Sequence, residues 1–304
     1  MTIDFYLSAL KQPQMPQILQ PDDYYNIGGG VLGILIAGVF ILLVLYLKKV
    51  LEAVLGGLEM FYALFAKRPL FIHFYPIKKE LEPNQIKILE QQFAFYNRLD
   101  NRHKRYFRHR LATFLFDKDF QGREGFVITE EVKILVSATA IMLTFGFRNY
   151  SIPCIKTILV YPRPYYSNIN KAYHKGEYNA RLKTLVLSWD NFIEGFRIED
   201  DKLNLGIHEF AHAIHYNSLR HEDISSVIFV DTFNELREQL ASNKDLKQKL
   251  KDSKFIRSYA FTNDSELLAV VIETFIEAPK EFKRLFPDIY AKLKQMLNFV
   301  FTGY

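Results

Sequence analysis

Cysteine is nearly absent: Cys154 stands alone in 304 residues. No internal disulfide can form, and zinc sites built on cysteine clusters are excluded. A metal in this chain would have to be held by histidines and carboxylates. A lone thiol also fits a reducing compartment. No long tract of one charge is present, although Lys and Arg outnumber Asp and Glu by 39 to 34. The densest basic stretch, Arg102 to Arg110, reads as the solvated face of a helix whose buried side carries Tyr106, Leu111 and Phe114. A nucleic-acid partner is therefore not expected. Internal repeats and low-complexity tracts are missing too. The N-terminus lacks the basic start, short apolar stretch and small-residue cleavage site of a signal peptide.

The chain is rich in aromatics instead, with 27 Phe and 18 Tyr, which points to a core built on aromatic burial. It also has one long apolar run. Residues 27–47 (IGGGVLGILIAGVFILLVLYL) carry no charge and are long enough to cross a bilayer as a helix. Only Lys11 lies upstream, whereas Lys48, Lys49, Lys67 and Arg68 follow. The positive-inside rule then puts the N-terminus outside and the C-terminal bulk in the cytoplasm, as a single-pass protein of the cell inner membrane. Gly29, Gly33 and Ala37 recur every four residues and would permit a dimer through the span. The expected organisation is a short extracytoplasmic segment (1–26), the span (27–47), a juxtamembrane helix (48–68) ended by Pro69, and a catalytic domain (69–304).

Within that domain the periodicity predicts helices at about 83–98, 101–116, 129–145, 204–219, 225–242, 263–278 and 280–298. Strands are predicted at 154–161 and 184–189, with a hairpin around His174–Lys175–Gly176–Glu177. The fold class is α+β, mostly helical with a small sheet.

The chemistry is concentrated in His208–Glu209–Phe210–Ala211–His212, an HExxH motif. On a helix the two histidines lie one turn apart on one face, so both imidazoles reach one ion. Glu209 is offset from them and is placed to take a proton from water activated by zinc. A catalytic zinc site needs a third protein ligand. The pattern HExxHxxGxxH would require Gly at 215 and His at 218, but His215 and Ser218 stand there, so that class is excluded. His215 reads as a packing or supporting residue. Two carboxylates remain as candidates, Glu235 and Glu266. Glu266 could equally close a capping box with Asn263 as N-cap. Local physics does not choose between the two glutamates. Glu273, two turns beyond Glu266, is placed to accept from an imidazole N–H, and Glu277 shares its helix; a solvated salt-bridging face accounts equally well for both.

HEFAH, the upstream VLSWD (Val186 to Asp190) and the downstream YAFTNDSELLAVVIETF followed by Ala278–Pro279 resemble the Mlc titration factor A-like, glucose-regulated zinc metallopeptidases. HEFxH and Y-x-x-x-N-x-x-E are also similar to the catalytic domain of anthrax lethal factor. The resemblance covers roughly 80–300. It implies a zincin-like (gluzincin) domain with Zn2+ on His208, His212 and Glu266. It further implies Glu209 as general base and Tyr259, seven residues before Glu266, as the donor that stabilises the oxyanion. The familiar bacterial members are soluble, whereas this chain carries an apolar run, so their glucose-responsive repressor partner is not carried over. The expected activity is hydrolysis of a peptide or protein substrate by a membrane-anchored peptidase. The alternative is a zinc-containing binding module that sequesters a regulatory protein. Retention of His208, Glu209, His212, Tyr259 and Glu266 together favours catalysis, because a binder needs no such set.

Overall fold

The computed structural model describes residues 21–167, 171–197 and 202–301. Residues 1–20 of the expected extracytoplasmic segment lie outside them. Contacts divide the chain into two units, 1–58 and 59–304. Helix α1 (Pro21–Ala66) runs without a break through the apolar stretch and the expected juxtamembrane helix. Leu32–Ala66 is long and apolar enough to cross a membrane by length and composition, and its most apolar window is not buried in the protein.

The second unit is mostly helical, α+β, with a small sheet. After α1 come α2 (Pro83–Gln92), α3 (Ala94–Arg98), α4 (Asn101–Asp117), β1 (Asp119–Gly122), α5 (Glu130–Leu143), β2 (Thr157–Tyr161), β3 (Tyr165–Ser167), β4 (Ala172–His174), β5 (Gly176–Asn179) and β6 (Thr184–Ser188). Then follow α6 (Trp189–Arg197), α7 (Leu205–Ser218), α8 (Ile224–Ser242), α9 (Lys244–Asp252), a 3-10 turn (Ser258–Phe261), α10 (Asp264–Glu277), α11 (Pro279–Leu285) and α12 (Pro287–Met296). Two of the predicted helices are split. Residues 83–98 break at Phe93, and 280–298 break where Pro287 cannot donate to continue α11.

The main sheet has the order β1-β2-β6-β5, with the first three strands parallel and β5 antiparallel at the edge. Strand β6 is buried on both faces, which explains its uninterrupted apolar run. The hairpin predicted around His174–Glu177 does not form. Strand β4 pairs with β3 in a separate two-stranded sheet, while β5 pairs with β6 through the turn at 180–183. Lys175 is thus a junction between sheets. A local sequence pattern cannot distinguish that from a tight turn.

The aromatic core is realised. Phe107, Phe145, Phe210, Phe229, Phe275, Phe282 and Phe299 are each wholly buried, a gain of about 1.5–3 kcal/mol apiece. Helix α4 departs from its expected exposure. His109 and Arg110 of the basic stretch are buried, and Arg110 is completely so. Its guanidinium donates to the carbonyls of Thr144, Phe145 and Phe147 just beyond α5, to the Ile72 carbonyl, and to the Tyr75 hydroxyl at 2.5 Å. An arginine so placed gives the buried carbonyls of the turn after α5 a charged donor. Its charge forces the loop 145–148 and the segment 72–75 together.

Candidate metal centre

Helix α7 is held by its start. Asn204 accepts from the Ile207 N–H and donates to the Gly195 carbonyl, tying α7 to the end of α6. Gly206 packs under Phe192, and Ile207, Phe210, Ala211 and Ile214 are buried. This fixes the rotation of the helix and leaves His208 and His212 on the face toward α10. Helix α10 begins with Asn263 capping the Glu266 N–H at 2.9 Å. The capping box is only half made, because the Glu266 carboxylate turns toward α7 instead of back to Asn263.

His208, His212 and Glu266 each present one ligand atom within 4.8 Å of the other two. The two Nε2 atoms lie 3.1 Å apart. Glu266 Oε2 is 3.1 Å from His208 Nε2, and Oε1 is 3.6 Å from His212 Nε2. Oε2 sits close without the geometry of a hydrogen bond. The outward ring atoms are engaged elsewhere: His208 Nδ1 donates to Glu273 Oε1 at 2.5 Å, and His212 Nδ1 is hydrogen-bonded to Ser265 Oγ at 2.9 Å. With Nδ1 of each ring turned to a protein oxygen, the two Nε2 atoms are the ones that face the cluster. Two imidazole nitrogens and one carboxylate, converging with their acceptors inward, fit a borderline cation such as Zn2+.

The electrostatics agree. Burial alone would push the His208 imidazole down, but the Glu266 and Glu273 carboxylates raise it to about 10, so the pocket favours positive charge. Against the cost of burial, His208 and His212 hold Glu266 well below the usual carboxylate range. Glu209 is buried, and that burial pushes it up to about 7, with the His208 and His212 charges opposing. Glu273 is 1% exposed and also pairs with Arg257, so its charge is matched on both sides.

Of the remaining candidates, Tyr259 lies on the 3-10 turn, half exposed, its ring 6.2 Å from that of His208 and its phenol pushed up by burial and by Glu266. His215 packs edge-on against Phe233 and near Phe229. Glu235 is not part of the cluster. It pairs with Lys67 and with Lys292 at 2.7 Å. Sequence reasoning missed Ser265, Arg257 and Gly176. A Cβ at Gly176 would come within 2.8 Å of Glu209 Cγ and of Leu205 Cδ1, so strand β5 presses directly on the motif glutamate. No local pattern announces that approach. A cavity of about 390 Å3 opens beside the cluster, lined by Tyr178, His212, His215, Tyr216, Ser265 and Glu266.

The profile of the glucose-regulated metallo-peptidase family M90 matches residues 75–298. The chain belongs to this family of metallopeptidases. It is also similar to an uncharacterized protein of Synechocystis sp., with 26% identity over 240 residues that span 72% of this chain and 84% of that protein. The M90 match covers α2 to α12 and so contains the whole cluster.

Proposed function

We propose that the chain is a membrane-anchored zinc peptidase. The observation that carries this reading is the convergence of His208, His212 and Glu266, with both outward imidazole nitrogens already bonded to protein. His208, His212 and Glu266 would hold Zn2+, which would supply a Lewis acid to polarise a carbonyl and acidify water. Glu209, beside them and buried, accepts a proton from the attacking water and returns it to the leaving amine. Burial favours the neutral form of Glu209 and so eases the capture of that proton. Tyr259 donates its phenolic O–H to the oxygen that gains charge in the transition state. Glu273 and Ser265 keep the imidazoles in the tautomer this requires. The free edge of β5 offers backbone groups to an extended peptide, which would lie along it above α7.

In this reading a short extracytoplasmic segment (1–26) precedes a span at 27–47, a juxtamembrane helix at 48–68 and a zincin-like peptidase domain over 69–304. The N-terminus lies outside and the catalytic domain in the cytoplasm, at the cell inner membrane. The apolar composition of α1 and the basic residues after the run support this. A reporter fused after Tyr304 is expected to read as cytoplasmic; activity on the outer side would reverse the orientation.

The test of the chemistry is metal content and turnover on a peptide library. Wild type should carry about one zinc per chain. Glu209→Gln should keep it and lose nearly all turnover, Glu266→Ala should release it, and Glu235→Ala should retain it. A zinc-loaded wild type that cleaves nothing would instead support a binding module that sequesters a regulatory protein.

A further inference from the structure

Between α1 and α2 the chain runs through residues 67–82 without regular structure, yet it is firmly placed from one side only. On the inner side Arg110 grips the Ile72 carbonyl and the Tyr75 hydroxyl. The His73 ring stacks on Tyr106 with centroids 4.6 Å apart and packs against Phe145 at 4.8 Å. On the outer side the side chains are apolar and uncovered. Phe74 is 73% exposed and Ile77 87%, with Leu70 and Phe71 beside them in sequence. Phe116, 85% exposed, joins the same surface, because Lys79 lies over its ring at 4.4 Å.

A soluble surface does not ordinarily array this many large apolar groups together. Basic groups predominate among their neighbours, although Lys67 pairs with Glu235, Arg148 pairs with Glu59, and Glu80, Glu82 and Asp117 lie close in sequence. From Phe61 to Lys79 the sequence has Lys67, Arg68, Lys78 and Lys79 and no acidic residue. Arg148 extends its guanidinium over the Phe71 ring at 4.8 Å. Aromatic and aliphatic side chains rimmed by basic ones form the pattern of a surface that enters the interface of an anionic bilayer. The surface is also continuous in sequence with the apolar stretch that ends at Ala66.

We infer that Leu70, Phe71, Phe74, Ile77 and Phe116 seat the folded unit on the head-group region of an anionic lipid bilayer. The inference rests on the membrane-anchored reading and adds a second contact. Catalytic chemistry is not involved. The hydrophobic residues enter the acyl boundary, and the flanking lysines and arginines lie among the phosphates.

The test uses the full chain in nanodiscs of phosphatidylcholine and phosphatidylglycerol, with Trp189→Phe removing the native indole. Single tryptophans are then placed at Phe74, Ile77, Phe40 in the apolar run, and Tyr173, exposed on β4. Phe74→Trp and Ile77→Trp should lose about half their emission to lipids brominated near the head group, and less to lipids brominated near the chain ends. Tyr173→Trp should be unaffected. Strong quenching of Phe40→Trp with none at Phe74 or Ile77 would overturn the seating and leave the anchor standing. Absence of quenching at all of Phe40, Phe74 and Ile77 would overturn both. Protection of Phe74→Trp from an aqueous quencher without bromolipid quenching would assign the surface to a protein or a second copy, and also overturns the inference.

Discussion

Tyr259 and Glu266 are seven residues apart, and the intervening chain turns once through a 3-10 segment before α10 begins. The phenol is thereby presented at the same cluster from a turn, half exposed, while the carboxylate is fixed by a capped helix. A group on an exposed turn contributes little to stability, so its removal isolates chemistry. Tyr259→Phe should keep metal, fold and substrate affinity, and lose about 100- to 1,000-fold in turnover. Steady-state kinetics beside metal analysis decide it, since turnover within a few-fold of wild type would make Tyr259 a packing aromatic. The HExxH pair was legible in sequence because one turn of helix is a fixed ruler. The choice between Glu235 and Glu266 was not legible from local physics, because both lie on helices and only the packing of α7 on α10 brings one of them near. The anchors Ser265 and Arg257 were hidden for the same reason: each works across elements, through His212 and through Glu273.

Strand β5 is the element that limits the site from the other side. Its first residue, Gly176, has no room for a Cβ: the nearest atoms are Glu209 Cγ and Oε1 and Leu205 Cδ1, all in side chains and the last two at their ends. Those ends can move, so the fold should tolerate an added methyl. The displaced group would be the Glu209 carboxylate, the proposed general base. Gly176→Ala is expected to leave the melting temperature within a few degrees while lowering kcat by about tenfold or more with zinc retained. Equal losses of stability and activity would mean that the strand itself had been disrupted. The sequence placed β2 and β6 within a few residues because each is a compact apolar run. It misjudged β4 and β5, where a single residue, Lys175, passes the chain from one sheet to the other. It passed over β1, β3, α6 and α9, which are short or polar and gain their shape from neighbours. The basic stretch in α4 misled in a similar way: nothing in its composition separates Arg110, which is buried, from Arg105, which faces solvent.

For the catalytic unit as a whole, that buried cation sets a response to acid. His73 lies next to it, and burial first, then Arg110, His103 and Arg102, lower its pKa to about 2. The Nε2 atom has no partner to receive a proton. The unfolded chain binds a proton at His73 near pH 6.5, whereas the folded chain does not. Below that pH the unfolded state therefore holds more protons, and stability falls as the pH falls. By pH 5 the loss should reach up to about 2 kcal/mol from this residue. His109, also held low by burial and by Arg110, adds in the same direction. Denaturant titrations between pH 7.5 and 5 should show the decline, and His73→Phe should flatten it. An unchanged slope in the variant would place the acid sensitivity elsewhere.

Arg110 also governs where the chain can be cut. Three of its acceptors belong to residues 144–147, but the other two, on Ile72 and Tyr75, arrive from the segment that follows α1. Scission between Lys67 and Phe71 would separate α1 from the rest of the chain and leave all five acceptors in place. Scission past Tyr75 would take two of them away and strand a guanidinium in the core, at a cost of several kcal/mol. A processing protease thus meets a boundary a few residues wide: on one side cleavage releases a working peptidase, and on the other it destroys one.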